Sequence, residues 1–276
     1  MVIDGRKIAA EIADHLKALP KPDKFLAGVL VGNDPASKSF QKIKHDTAAR
    51  LGIDYRIYEF SENLTNDALR EEVGKIAAHK TCGGVVVQLP LPDHFNWYAV
   101  LNAIPPEKDP DLLSERSLGA FYNGRTRIVQ PAAEVVAEIL KRVQFDLKGK
   151  KVVVVGRGFL IGKPISLWLL GQRAGDVTVV GKDSDYSALC TADLVITGVG
   201  KAGLVTPAML KPGAGVIDFG YQGGKGDFDP GAAGVSADEG GSDNGKDKIA
   251  FYTPTPGGTG PILVAKLLEN FYTLNS

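Results

Sequence analysis

Cysteine is nearly absent: Cys82 and Cys190 are the only two in 276 residues. They stand at no metal-ligand spacing, so no metal is expected, and they argue against a disulfide framework. Such sparse cysteine usage points to a reducing, cytoplasmic compartment. Net charge is absent as well, with 32 Lys+Arg against 32 Asp+Glu. Without a basic surplus, neither nucleic acid nor an anionic membrane is indicated as a partner; a local basic pocket for a phosphorylated ligand remains open. No run of about 18 apolar residues occurs, so no membrane span is expected. The opening segment MVIDGRKIAAEIADHL carries Asp and Glu within an amphipathic pattern, which reads as neither a signal nor a transit peptide.

What is present is an ordinary globular composition, 44% hydrophobic and 23% charged, in a length that suits one large domain or two modest ones. Residues 6–18 read as a helix with Ile8, Ala9, Ile12 and Leu16 on one face. Strand patterns follow at 25–32, 54–60 and 83–92, separated by helical patterns at 36–51 and from Thr65 to about His79. A further helix is expected over 131–143, and a second series of strands at 150–156, 176–180, 192–200 and 214–220, with helices at 163–171 and 261–274. The Gly- and Asp-rich stretch 223–248 reads as mostly an exposed loop and not a metal site. Alternating strands and helices imply βαβ units and parallel sheets, an α/β class.

The segment VVVVGRGFLIGKP, residues 152–164, runs four valines into three glycines. Gly156 suits a tight turn, Gly158 lets the backbone approach a pyrophosphate, and Gly162 lets the next helix start close to the sheet. That helix offers unpaired N–H groups to an anion. The spacing, G-x-G-x-x-x-G, is one residue longer than the usual dinucleotide fingerprint, and a simple tight turn is the competing reading. After the strand DVTVV, Gly181 occupies the place where an NAD-selective site usually carries an acid for the ribose hydroxyls. Lys182 follows it, and together with Arg157 it favours a 2′-phosphate, hence NADP, with NAD still possible; Lys182 reads equally well as a solvated surface lysine. Ser184, Thr197 and Gly198 are further candidate cofactor contacts.

On the helix 36–51, Ala36, Phe40, Ile43, Thr47 and Leu51 fall on one side, with Lys38, Lys42 and His45 opposite. Lys44 falls on the flank of that apolar stripe. Partly desolvated there, its amine could carry protons near neutral pH; alternatively the stem packs and the amine reaches water.

With these residues in view, the chain resembles the bifunctional methylenetetrahydrofolate dehydrogenase/cyclohydrolase (FolD) family nearly end to end. The resemblance rests on VGNDPASKSFQKIK (31–44), VVVQLPLP (85–92), EKDPD (107–111), GRGFLIGKP (156–164), VIDFG (216–220) and TPTPGGTGP (253–261). It implies NADP-linked oxidation of 5,10-methylenetetrahydrofolate, then hydrolysis of the methenyl product to 10-formyltetrahydrofolate. It also implies a homodimer. Lys44 matches the family's catalytic lysine, Gln88 the glutamine beside it, and Asp111 the aspartate that holds the pterin's N–H donors. Phe40, Pro256, Gly257, Gly258 and Pro261 match substrate-side positions. The implied architecture is an N-terminal α/β folate domain over 1–135, with helix 259–276 packed back on it. A Rossmann-like domain over 140–258 follows, with the active-site cleft between the two.

The departures from the family's pattern are specific. Phe40 stands where tyrosine is usual, and Asp111-Leu112 where Asp-Gly is usual. Gln130-Pro131-Ala132-Ala133 replaces Pro-Cys-Thr-Pro, Gly158 replaces a common serine, and Gly181-Lys182 replaces His-Ser. Three alternatives stay open: a dehydrogenase without cyclohydrolase activity, a folate-binding homologue that has lost turnover, and a shikimate-dehydrogenase-like NADP oxidoreductase with the same domain order. The QLPLP and PGGTGP segments argue against the last.

Overall fold

The computed structural model describes residues 1–181, 183–232 and 249–276. It divides into two compact units, Ala9–Pro131 with Val264–Ser276, and Met1–Ile8 with Ala132–Leu263. Among the described residues no helix is long and apolar enough to cross a membrane.

Helix α1 (Gly5–Lys17) opens the chain. Strand β1 (Phe25–Val31), helix α2 (Pro35–Arg50), strand β2 (Tyr55–Phe60), helix α3 (Asn66–Ala78) and strand β3 (Cys82–Val87) then alternate. The strands form a parallel three-stranded sheet in the order β2-β1-β3. The central strand β1, FLAGVLV, is buried along its whole length, as a strand covered on both faces must be. Edge strand β2 is buried at Tyr55 and largely open beyond it. Helix α2 begins where the Asp34 carboxylate accepts the N–H of Ser37 at 2.8 Å, one residue before Pro35. Thr65 caps α3 in the same way through Ala68, at 3.2 Å. Two short helices that the sequence reading did not assign follow, α4 (Trp97–Leu101) and α5 (Glu115–Tyr122).

Helix α6 (Pro131–Arg142) leads to the second sheet: β4 (Lys151–Val155), α7 (Gly162–Leu170), β5 (Asp176–Val180), β6 (Leu194–Thr197), β7 (Ala214–Asp218) and β8 (Ile249–Tyr252). These five strands are all parallel, in the order β5-β4-β6-β7-β8. The order reverses between β4 and β6, where a doubly wound sheet opens a crevice beyond its strand ends. Val2 bridges Tyr252 in parallel, and the Ile3 N–H donates to the Tyr252 carbonyl at 2.9 Å. Val2 and Ile3 therefore pair alongside β8, and residues 1–8 group with this unit, whereas the sequence assigned them to the folate domain.

Two further expectations change. The buried face of α2 is Ser37, Gln41, Lys44 and Ala48, while Ala36 is exposed and Ile43 is 46% exposed. The helix is rotated from the face its apolar residues suggested, because bonded polar side chains are tolerated against the sheet. The stretch 223–248, read as exposed loop, contains Asp227 and Phe228, both buried. Phe228 joins the core cluster with Val153, Val195 and Val216; glycine-rich composition concealed it. The rest of that stretch, 233–248, lies outside the described residues.

Helix α8 (Thr259–Leu274) closes the chain. From Val264 on it packs in the β1–β3 unit. Phe271 is fully buried over Gly84, where an added Cβ would sit 3.1 Å from its ring. Asn270 donates to the carbonyls of Pro110 and Val129 at 3.0 and 2.8 Å. Phe271→Ala should lower unfolding free energy by about 3–5 kcal/mol in urea titration. A loss below about 1 kcal/mol would mean that this helix is not core to the unit.

Candidate active site

Lys44 lies on the sheet-facing side of α2, 7% exposed. Its Nζ donates to Gln88 Oε1 at 3.1 Å and sits 5.5 Å from the centroid of the Phe40 ring. Gln88 follows β3 and is itself held, its Nε2 donating to the Leu89 carbonyl at 2.7 Å and its backbone N–H to the Val29 carbonyl at 2.9 Å. Burial pushes the Lys44 amine below the ordinary lysine range; the Asp111 carboxylate opposes that shift. This environment disfavours the ammonium form and does not fit an amine extended into water.

Asp111 is presented by a turn that Asp109 builds. Asp109 is 1% exposed and accepts the backbone N–H groups of Leu113 at 3.1 Å and Ser114 at 2.9 Å. Leu112, inside that turn, takes φ 51° with its side chain buried. A leucine there costs about 1–2 kcal/mol of backbone strain, offset by burial of its side chain. No described hydrogen bond ends on the Asp111 carboxylate, which leaves two acceptor edges for a ligand. Desolvation pushes its carboxyl up to about 6, with the Lys44 charge pulling it back and Asp109 adding a smaller push.

The other unit holds the glycine residues. Gly156 follows β4 with φ 113°, and its N–H donates to the Val180 carbonyl at 2.9 Å. A Cβ on Gly162 would run into the Gly156 carbonyl, so α7 can start this close to the strand only with glycine. Gly198 sits at the end of β6, its N–H donating to the Val155 carbonyl at 3.1 Å. Gly156 and Gly198 thus flank the reversal point of the sheet. Gly158 is open, with nothing within 4 Å of a built Cβ. The Arg157 guanidinium lies against Gly181, and its Nη2 donates to Ser184 Oγ at 3.2 Å. Ser184 Oγ in turn accepts the Gly181 N–H at 2.8 Å. This cluster at the ends of β4 and β5 presents the Arg157 cation, which suits a phosphorylated ribose. Lys182 lies outside the described residues.

Thr197 departs from its expected role. It is fully buried and its hydroxyl donates to Asp227 Oδ2 at 2.8 Å, so it braces a loop. Asp227 also accepts the N–H groups of Val199 at 2.6 Å and Lys201 at 2.7 Å. The PGGTGP loop packs on the chain's start: a Cβ on Gly5 would strike the Gly258 carbonyl, and one on Gly257 would lie 3.5 Å from Arg6 Nε. Pro256 is exposed, Gly258 buried and Pro261 half-buried in the first turn of α8, where no intrahelical donor is missed. Thr259 Oγ1 ties the loop to β7, donating to the Asp218 carbonyl at 2.8 Å. Ala132 and Ala133, two of the departures, are fully buried in the first turn of α6.

Residues 3–111 match the catalytic-domain model of tetrahydrofolate dehydrogenase/cyclohydrolase, and residues 130–276 match its NAD(P)-binding domain. The chain belongs to the tetrahydrofolate dehydrogenase/cyclohydrolase family. A curated relative, the bifunctional protein FolD of Bacillus licheniformis, is 34% identical over 98% of this chain and 95% of its own length. The crystal structure of the FolD enzyme from Campylobacter jejuni superposes with a TM-score of 0.88 at 30% identity, covering 99% of this chain and 98% of that one. The Trypanosoma brucei FolD, crystallised with NADP cofactor and inhibitor, gives 0.87 at 32% identity, covering 99% and 96%. Shikimate 5-dehydrogenase from Thermus thermophilus shares the fold alone, with a TM-score of 0.56 at 17% identity over 91% of this chain and 93% of that one.

Sequence reasoning missed Asp109, Asp227, Gln41 and Tyr55. For Gln41 a signal existed: it stands three residues before Lys44, on the same helical face.

The Asp111 carboxyl has a definite linkage to stability. In the fold it holds its proton to about 6, against an ordinary value of 3.8. Its neutral form favours the folded state, so this contribution is complete below the ordinary value and lost as pH rises through about 6. Asp111→Asn should therefore flatten the fall in unfolding free energy between about pH 4 and 6, measured by urea titration at stepped pH. Parallel curves for variant and parent would contradict the assigned shift.

Proposed function

We propose that this chain oxidises 5,10-methylenetetrahydrofolate with NADP and hydrolyses the methenyl product to 10-formyltetrahydrofolate. One observation carries the reading: a desolvated Lys44 amine, bonded to Gln88 and within electrostatic reach of Asp111, in the unit that matches the family's catalytic domain. An amine whose ammonium form is disfavoured can accept and return protons near neutral pH. Lys44 takes a proton from the water that attacks the methenyl carbon and returns it to the ring nitrogen that departs. Gln88 fixes the amine by accepting its N–H. Asp111, with its oxygens unengaged, accepts N–H donors of the pteridine ring. The Phe40 ring, beside the amine, offers a stacking face but no hydroxyl.

On the dinucleotide side, Gly156, Gly158 and Gly162 leave bare backbone for the pyrophosphate, and Gly198 borders it across the sheet's reversal point. Arg157, set by Ser184, meets the 2′-phosphate. The bound NADP supplies the hydride acceptor. Pro256 to Pro261 form a loop, anchored through Thr259, that serves the substrate. We further propose a homodimer working in the cytoplasm, the assembly to be checked by sedimentation.

A paired assay on one sample tests this reading, following NADPH formation and then loss of the methenyl chromophore. The parent should do both, and use NADP in preference to NAD. Lys44→Ala should slow hydrolysis by about 100-fold or more while leaving NADP affinity within about twofold. Equal hydrolysis rates in variant and parent would remove the assignment of Lys44.

A further inference from the structure

Behind Lys44 lies a polar layer that the proposed chemistry leaves unused. Gln41, one turn earlier on α2, is 1% exposed, and Tyr55, the first residue of β2, is 7% exposed. Tyr55 Oη donates to Gln41 Oε1 at 2.5 Å. Gln41 Nε2 donates to the Val29 carbonyl at 3.1 Å. That same carbonyl accepts the backbone N–H of Gln88 at 2.9 Å, and Gln88 Oε1 accepts from Lys44 Nζ. One line of contacts thus joins a buried phenol to the buried amine.

Chemistry fixes the polarity of that line. The Val29 carbonyl can only accept, so Gln41 must turn its nitrogen toward β1. Its oxygen then faces Tyr55, which must donate. Burial, aided by the Asp111 charge, raises the phenol's pKa, so Tyr55 stays a donor. Gly28 makes the room: a Cβ there would run into the Tyr55 hydroxyl and lie 2.7 Å from Gln41 Oε1. Polar side chains turned toward a sheet are tolerated only when bonded, and this pair satisfies each other.

We infer that Tyr55 and Gln41 are positioning residues that set the rotation of α2 on β1 and so hold the Lys44 amine against Gln88. Their effect on turnover rests on the proposed role of Lys44; their effect on the amine's surroundings does not.

The test uses the full-length chain and two substitutions. Tyr55→Phe keeps the ring and removes the donor; Gln41→Met keeps the volume and removes both bonds. With α2 less firmly seated, Lys44 becomes better hydrated. Its titration, followed by NMR at the side-chain nitrogen, should move up toward ordinary lysine by at least about half a pH unit. The limb of the hydrolysis pH–rate profile should move the same way. The kcat for hydrolysis should fall about tenfold, with KM for the methenyl substrate and Kd for NADP within about twofold. The double variant should lose no more than the worse single one, since both act through one line. An unmoved Lys44 titration in folded variants overturns the inference. So do additive losses, or a fall in NADP affinity equal to the fall in kcat. A moved titration in the variants of a parent that itself shows no hydrolysis leaves the positioning intact and removes the proposed reaction instead.

Discussion

Everything in the β1–β3 unit turns on one amine that has lost its water. Taking an ammonium out of solvent costs several kcal/mol, while the hydrogen bond from Lys44 to Gln88 contributes about 1 kcal/mol net. The bond alone cannot keep the group charged. The neighbouring Asp111 carboxylate favours the charged form, yet desolvation remains the larger influence on Lys44. The result is a pair in which each group bears on the protonation of the other, one amine pulled down and one carboxyl pushed up to about 6. A fold that left Lys44 in water would lose the depressed amine and the pull it exerts on Asp111.

The second unit solves a different problem with the same economy of side chains. Its valine-rich strands end in bare backbone at the point where the sheet order reverses, which is where an anion can approach N–H groups. The loops beyond those ends need stiffening, and buried carboxylates provide it. Asp227 gathers Thr197, Val199 and Lys201. Asp218 accepts the N–H groups of Gly220 at 2.7 Å and Phe228 at 2.9 Å, and desolvation still pushes its carboxyl up to about 6. Asp218 is spent on backbone donors and Asp227 on two backbone donors and the Thr197 hydroxyl, so both hold loops in place.

Much of this was legible in the sequence. Strands β1 and β3, and β4 after its exposed Lys151, announce themselves as apolar runs because both faces are covered. The glycines at 156 and 162 follow from the need for close approach. Lys44, Gln88 and Asp111 came from motif resemblance; spacing alone left Lys44 undecided between core and water. What stayed hidden has a common cause. The face of α2 was misjudged because three of its buried residues are polar, and periodicity counts only apolar ones. Asp227 and Phe228 were lost inside a glycine-rich stretch whose composition resembles a loop. The N-terminal residues joined the other sheet through backbone pairing at Tyr252, which carries no side-chain signature.

The central claim is that burial depresses the basicity of Lys44 in the native fold. Direct titration of its side-chain nitrogen by NMR in the unliganded full-length chain measures this without reference to any reaction. The account predicts a midpoint below the ordinary lysine value of 10.5. A midpoint at or above that value would place the amine in water or in a tight ion pair, and the account would fail.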